Sequence, residues 1–465
     1  MRLAITALIA ALIFVGQSQV TKAQGTFTIT VQISEGTNPG PPMSGVNVQL
    51  LMNGTTIFNA QTDSNGTCVF TGISGTYDVT PFKPNYLFNP STQGGTNTGS
   101  RTLFFTGAVS PGPTLQFNAP SYSVGEGNGS VAVTVVRGGS TAAPASVRYA
   151  TSDSAGLTNC NVVNGVGSSR CDYAVSVGTL NFAAAEAFKT ISVPIVDDSY
   201  AEGAEGFSIN LSNAAGATIA LANATIVISD NETSNGPNPI DQTAFFVRQH
   251  YIDFLGREPD PAGFQAWQDT INNCPPGNTT CDRIHVSGNF FQSPEFQARG
   301  YFVYRFYPVA FGRKPDYAEF IPDLAGVSGF LSDAQLEAAK VAFINDFMSR
   351  PAFFATYNGL NNTQYVDTLL ATAGVTSQHR DFWIAALGNG TRTRATVLRD
   401  IAESIEVYNK YFNQAFVVMQ YFGYLRRDPD GSYLAWIQVL DSTGDSRGMI
   451  NGFMNSLEYR FRFGP

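Results

Sequence analysis

The hydrophobic period of this chain changes once, near Asp241, and that change sets what it can fold into. Before it, apolar residues alternate or are β-branched in short runs: Thr26–Ile33, Val46–Leu51, Val131–Val136, Ile191–Val196, Phe207–Leu211 and Ala224–Ile228. Alternation places one set of side chains on one face of a strand, and a series of short strands separated by turns predicts sandwiches. After it, Phe245, Phe246, Tyr251, Ile252 and Leu255 fall at helical spacing, with Ala, Gln, Arg and Glu between them. The 465 residues therefore divide into a first all-β sandwich over 25–109, a second over 113–232, a linker at 233–241 and an all-α region over 242–465. Ser110-Pro111-Gly112-Pro113 separates the two sandwiches, and a Ser/Asn/Gly/Pro stretch from Thr233 to Pro239 precedes the helices.

The first 23 residues read as an export signal. Arg2 supplies the positive end, Leu3 to Val15 is an apolar run, and Thr21-Lys22-Ala23 offers small residues for cleavage before Gln24. That run falls short of the ~20 residues a membrane-spanning helix needs, so no span is expected in the mature chain. The protein is expected to be secreted or held at the cell surface, in an oxidising compartment. Its five cysteines suit that setting. Cys160 and Cys171 flank a Gly/Asn/Ser loop, and Cys274 and Cys281 flank a Pro-Pro-Gly-Asn turn, which predicts two local disulfides. Cys68, in a β-like run, is expected to be a buried free thiol.

Charge excludes several partners. With 27 Lys and Arg against 36 Asp and Glu, the chain has a net charge of -9, which argues against nucleic acid and against docking to anionic membranes. Only three histidines are present, His250, His285 and His379, far apart in sequence, and H-E-x-x-H does not occur. The chain is therefore expected not to be an enzyme. The alternative reading is a carbohydrate-binding protein, or a carboxylate-based cell-envelope enzyme working through the helical region.

The acids of the second sandwich gather in loops: Glu126, Asp172, the pair Asp197-Asp198, Glu202, Glu205, and Asp230 and Glu232 after the last strand. Loops at one pole of a sandwich converge, and carboxylates forced together repel one another unless a cation neutralises them. Calcium accepts six to eight oxygen ligands in irregular geometry, which suits a site built from loops. The run Tyr122-Ser-Val-Gly-Glu-Gly127, with Cys171-Asp-Tyr173, Gly178-Thr-Leu180, Lys189–Asp198, Glu202 to Ser212 and Val227–Asn231, resembles the Calx-beta motif. The resemblance implies an immunoglobulin-like sandwich with calcium at one pole, and implies that Glu126, Asp172, Asp197, Asp198, Glu202, Glu205 and Asp230 are ligands. Glu232 falls where that family often has a third terminal acid. The chain departs from the pattern in having Ser199 after two acids, Asp-Asn-Glu at the end, and a cysteine-bearing loop before Asp172. These departures point to one or two ions. The expected function is a non-catalytic, calcium-binding exported protein, acting in adhesion, cell communication or as a surface scaffold with a protein or glycan partner.

Two further resemblances frame the rest. Gly45, Val46, Val48, Leu50, Thr62–Thr67, Phe70, Gly72, Ile73, Gly75, Tyr77, Val79 and Pro81 resemble the carboxypeptidase regulatory-like domains, which implies a small transthyretin-like sandwich without catalytic residues. In the helical region, Tyr251–Asp260 is echoed by Tyr307–Asp316 and Tyr421–Asp430, and a second signature recurs at Phe291–Phe296, Met348–Phe353, Ala402–Val407 and Met454–Tyr459. This predicts four units of about 55 residues in a helical repeat. The pattern resembles a bacterial domain family of unknown function, marked by Gly-Arg-x-Pro-Asp and Ser-x-Glu-Phe elements. In each Gly-Arg-x-Pro-Asp turn the glycine is expected to end a helix, the aspartate to cap the next, and the arginine to bridge that aspartate or the last carbonyls. Trp267, Trp383 and Trp436 are expected in the core.

Overall fold

The structure is a computed structural model that describes residues 27–465 except Pro84, Pro111, Leu157 and Thr158. The expected export signal lies outside the described residues. The chain runs through two β-sandwiches and then helices. In the first sandwich the strands are β1 (Phe27–Glu35), β2 (Asn47–Met52), β3 (Thr56–Gln61), β4 (Thr67–Ile73), β5 (Thr76–Phe82), β6 (Tyr86–Asn89), β7 (Gln93–Thr96) and β8 (Arg101–Val109). They form two four-stranded sheets, β4-β1-β8-β6 and β3-β2-β5-β7. Alternation does the sorting: Ile29, Val31 and Ile33 point in from one sheet, and Val48, Leu50, Tyr77 and Val79 from the other. Cys68 is a buried free thiol.

The second sandwich comprises β9 (Thr114–Phe117), β10 (Ser121–Gly125), β11 (Ser130–Gly138), β12 (Ala145–Ser152), β13 (Val177–Phe182), β14 (Phe188–Pro194), β15 (Glu205–Ala215), β16 (Thr218–Leu221) and β17 (Asn223–Ser229). Its sheets are β10-β17-β15-β12-β13 and β14-β11-β9-β16. Val131, Val133 and Val135 alternate inward on β11, and Val131 and Val133 pair across the ladder with Val193 and Ile191 of β14. Such cross-strand β-branched pairs fix the register, because a slip of one residue would turn them all to water.

The helical region has one core that runs from Ile240 to Phe463. Its centre is the helix Gly300–Phe311, in which every residue from Gly300 to Ala310 is buried. Helices Asn362–Ala373, Arg394–Ala402 and Ile405–Gln420 pack around it. Trp383 is buried, and Trp267 and Trp436 pack partly buried against the same core. No helix among the described residues is long and apolar enough to cross a membrane. The two disulfides join Cys160 to Cys171 and Cys274 to Cys281.

The helix-ending turns follow the sequence logic with one correction. Gly256, Gly312 and Gly374 close their helices in the left-handed conformation, which glycine adopts without a Cβ penalty. Asp260 caps the next helix through the Gly263 N–H at 2.8 Å. The arginines, however, mainly grip a glutamate. Arg257 holds Glu295 through two bonds of 2.7 Å, against 3.6 Å to Asp260. Arg427 holds Glu458 at 2.7 and 2.9 Å. Both glutamates belong to the second signature, so the two motifs are halves of one fork-to-fork ion pair. Where that signature carries Ala352 instead, Arg313 turns to Glu319 of its own next helix, at 2.7 Å.

Candidate metal centre

The loops at one pole of the second sandwich bring the acids together. Glu126 begins a short 3-10 turn after β10. Asp172 sits just past the disulfide loop, where Tyr173 bridges to Ile195 beside β14. Asp197 and Asp198 follow β14, Glu202 precedes β15, Glu205 is its first residue, and Asp230 and Glu232 follow β17. Glu126, Asp230 and Glu232 each offer an oxygen within 4.8 Å of the others, and Asp172, Glu202 and Glu205 do the same. Oxygens bound about 2.4 Å from one cation can lie no farther apart than this, so each triplet has the reach of a shared ion. Asp198 is charge-coupled to both groups, through Glu126, Asp172 and Glu202. Asp197 is in neither triplet; its carboxylate accepts the Asn231 amide at 3.2 Å.

Burial with little counter-charge is the dominant feature, with Arg426 acting to lower Asp172. The sandwich's own basic side chains pair elsewhere, as Arg148–Asp346, Arg170–Glu458 and Lys189–Glu186, and none reaches the eight acids. Burial, reinforced by the charges of Glu232, Asp172 and Asp197, raises the Glu126 carboxyl to about 8. Burial and then Glu126 raise Asp198 to about 10, and burial and then Asp172 raise Glu202 to about 8. Asp172 and Glu205 share a hydrogen bond; burial raises both, and Glu205 keeps the proton. Burial and the bond to Asp230 raise Glu232 to about 7. Asp230 goes the other way: burial acts to raise it, but the N–H groups of Gly203, Glu232 and Glu202 outweigh that and hold it below the usual range.

Several bonds hold these carboxylates in place. Glu126 accepts the Asp198 N–H at 3.1 Å, and Asp172 accepts the Ser168 N–H at 2.5 Å. Asp198 accepts the Tyr200 N–H at 2.7 Å with one oxygen, while its other oxygen, Oδ2, is buried without a partner. Glu232 Oε2 is likewise buried and unpartnered. A buried acceptor without a donor is costly, and an acidic cage with two of them fits a hard, oxygen-seeking cation such as calcium. A residue that sequence reasoning missed orders the loop: Asp153 accepts the Tyr173 hydroxyl at 2.6 Å and the Ser169 N–H at 2.9 Å. Its place at the end of a strand resembles any solvated turn acid, so nothing in the sequence marked it.

Known proteins bear on this pole directly. Residues 111–232 match the Calx-beta domain family. Residues 225–300 match a family described as a domain of unknown function, DUF4214. Among solved structures, the apo-form Calx CBD1 domain is 28% identical, over 26% of this chain and 99% of that one, with a TM-score of 0.23. The calcium binding domain CBD12 of CALX1.1 is 29% identical; the match covers 25% of this chain and spans 45% of that one, with a TM-score of 0.22. The major pilin subunit of Bacillus cereus is 10% identical over 44% of this chain and 69% of that one, with a TM-score of 0.17. A search of curated proteins found no match. The Calx-beta match covers all eight acids.

The site also touches the helical region. Arg426 stands where the other turns have glycine: Gly256-Arg-Glu-Pro-Asp becomes Arg426-Arg-Asp-Pro-Asp. It adopts the left-handed conformation, φ 49°, which is unfavourable for a residue with a Cβ. Its guanidinium reaches back to Asp253, at 2.9 Å, and forward to the carbonyls of Ser169 and Tyr173 on either side of Asp172.

Proposed function

We propose that the chain is an exported, non-catalytic protein whose Calx-beta domain binds calcium at the pole formed by Glu126, Asp172, Asp197, Asp198, Glu202, Glu205, Asp230 and Glu232. The observation that carries this is the pair of buried and half-buried carboxylate triplets that no salt bridge neutralises, with Asp198 Oδ2 and Glu232 Oε2 unpaired. The two triplets suit two ions, with Asp198 positioned to serve both. Calcium would replace mutual repulsion with shared ligation and stiffen the loops between Asp172 and Glu205. The sandwiches and helices would then act as a surface scaffold or adhesive module. The burial of Trp383 and the packing of Trp267 and Trp436 against the core favour this over a sugar-binding reading of the helical region.

The test is calorimetric. The full chain is stripped with EDTA, then titrated with calcium and, separately, with magnesium. Binding heat with calcium, a weak response to magnesium, and a rise in the melting temperature with millimolar calcium are expected. At 100 times its dissociation constant, each site adds about 2.7 kcal/mol. No heat and an unchanged melting temperature would leave the domain a structural spacer.

A further inference from the structure

The loops that carry Glu126, Asp172 and the Asp197-Asp198 pair are gripped from outside the sandwich. Arg426 binds the Ser169 and Tyr173 carbonyls, three residues before Asp172 and one after it. Arg462, fully buried, binds the Arg170 carbonyl at 2.9 Å. Arg248 binds the carbonyls of Gly129, at 2.7 Å, and Ile195, at 3.1 Å, flanking Glu126 and the Asp197-Asp198 pair. The Phe463 carbonyl accepts the Ser199 N–H at 3.0 Å, next to Asp198, and the Tyr200 hydroxyl reaches the Phe461 carbonyl. Val196, immediately before Asp197, is packed in the core of the helical region rather than in that of the sandwich. Asp253, with its side chain 1% exposed, ties Arg426 and Arg462 together beneath this contact.

We infer that the helical region is a positioning element of the cation cage, and that Arg426 is its principal positioning residue. The inference rests on the calcium reading above. A loop whose backbone is fixed from both sides holds its carboxylates in a binding geometry that the sandwich alone leaves looser, so less ordering is lost on binding. Arg426 keeps an unfavourable backbone conformation in a turn where glycine serves three times, and its side chain spans from Asp253 to the Asp172 loop. By linkage, whatever the helical contact adds to calcium affinity, calcium returns to the helical contact.

The experiment compares the full chain with Arg426→Gly, which restores the residue found at the other three turns and so suits the backbone. Calcium affinity by titration calorimetry is expected to fall at least tenfold, with helical circular dichroism kept. Arg313→Met, in the corresponding motif on the Glu319 side, is expected to leave affinity unchanged. As a readout independent of that variant's folding, hydrogen exchange on the unsubstituted chain is expected to slow on calcium addition at the amides of residues 421–426 and 457–463. Calcium heat without any change in exchange there, or equal affinity in the glycine variant, would overturn the coupling. Absence of calcium heat from the unsubstituted chain would overturn the calcium reading itself.

Discussion

Metal-free, this protein is expected to lose stability as pH rises from 6.5 to 8, the reverse of ordinary carboxylate behaviour. Glu126 and Glu202 sit at about 8 in the folded chain against 4.5 for a free glutamate, first through burial and then through neighbouring acids. A group raised on folding stabilises the native state fully below its unfolded value, and that stability is lost as pH rises through the folded value. Between 6.5 and 8 the unfolded chain has released these protons while the native chain still holds them. One net proton corresponds to about 1.4 kcal/mol per pH unit, so about 2 kcal/mol is lost across this window. Opening of the loops limits how many of the raised acids add to that figure. His250, lowered to about 4 in the folded chain, titrates near 6.5 in the unfolded one and offsets only about 0.4 kcal/mol of this loss at the window's low edge. With calcium the slope should vanish or invert, because the ion needs ionised ligands and its binding releases protons. The assay is differential scanning calorimetry of the full chain at pH 6.5, 7.25 and 8, in calcium-free and in millimolar-calcium buffer. Metal-free stability that climbs with pH, or parallel trends with and without calcium, would refute the argument.

Other perturbations probe the frame around the site. His250 is fully buried, its Nδ1–H donating to the Phe246 carbonyl at 2.8 Å, and burial lowers it to about 4. Because the unfolded histidine takes up a proton below 6.5 and the native one does not, the helical transition should lose about 2–3 kcal/mol between pH 6.5 and 4.5, as read by calorimetry. Asp253→Ala leaves Arg426 and Arg462 as uncompensated buried charges and should cost about 3–5 kcal/mol in urea unfolding. Removing the Cys160–Cys171 link with paired serines should cost about 2–3 kcal/mol and weaken calcium binding by loosening the approach to Asp172. Cutting the chain after Tyr357, whose hydroxyl bonds the Ala310 carbonyl inside the single helical core, should leave both pieces without a cooperative thermal transition.

Much of the architecture was legible because strand and helix write different periods. Val131, Val133 and Val135 could be read as one strand face, and that face is buried. The local disulfides were legible for a related reason, since two cysteines across a short turn-rich loop have few other partners. The acids were legible as loop residues, and the topology brings six of the eight into two triplets. Which acid belongs to which triplet was not legible, because Glu202 and Asp230 are near one another through the Glu202 N–H bond yet fall in different groups. That division depends on side-chain direction, which alternates and turns within loops and leaves no periodic trace.

The contact between the helices and the acidic pole left still less in the sequence, and the reason is physical. Arg248, Arg426 and Arg462 act there on backbone carbonyls, which every residue possesses, so no sandwich side chain marks the other half of those bonds, although Arg170 of the same loop also pairs with Glu458. Arg257 and Arg427 show the contrast: their partners are Glu295 and Glu458, and a recurring arginine with a recurring glutamate can be matched by eye. Arg426 did leave one sign, a non-glycine where three sister turns have glycine. A substitution that costs backbone energy persists when the new side chain returns more than the strain, and here it gains a buried ion pair and two carbonyl bonds. A break in a local rule is therefore the place to look for a long-range contact, and in this chain it leads from a helix end to the loop that carries Asp172.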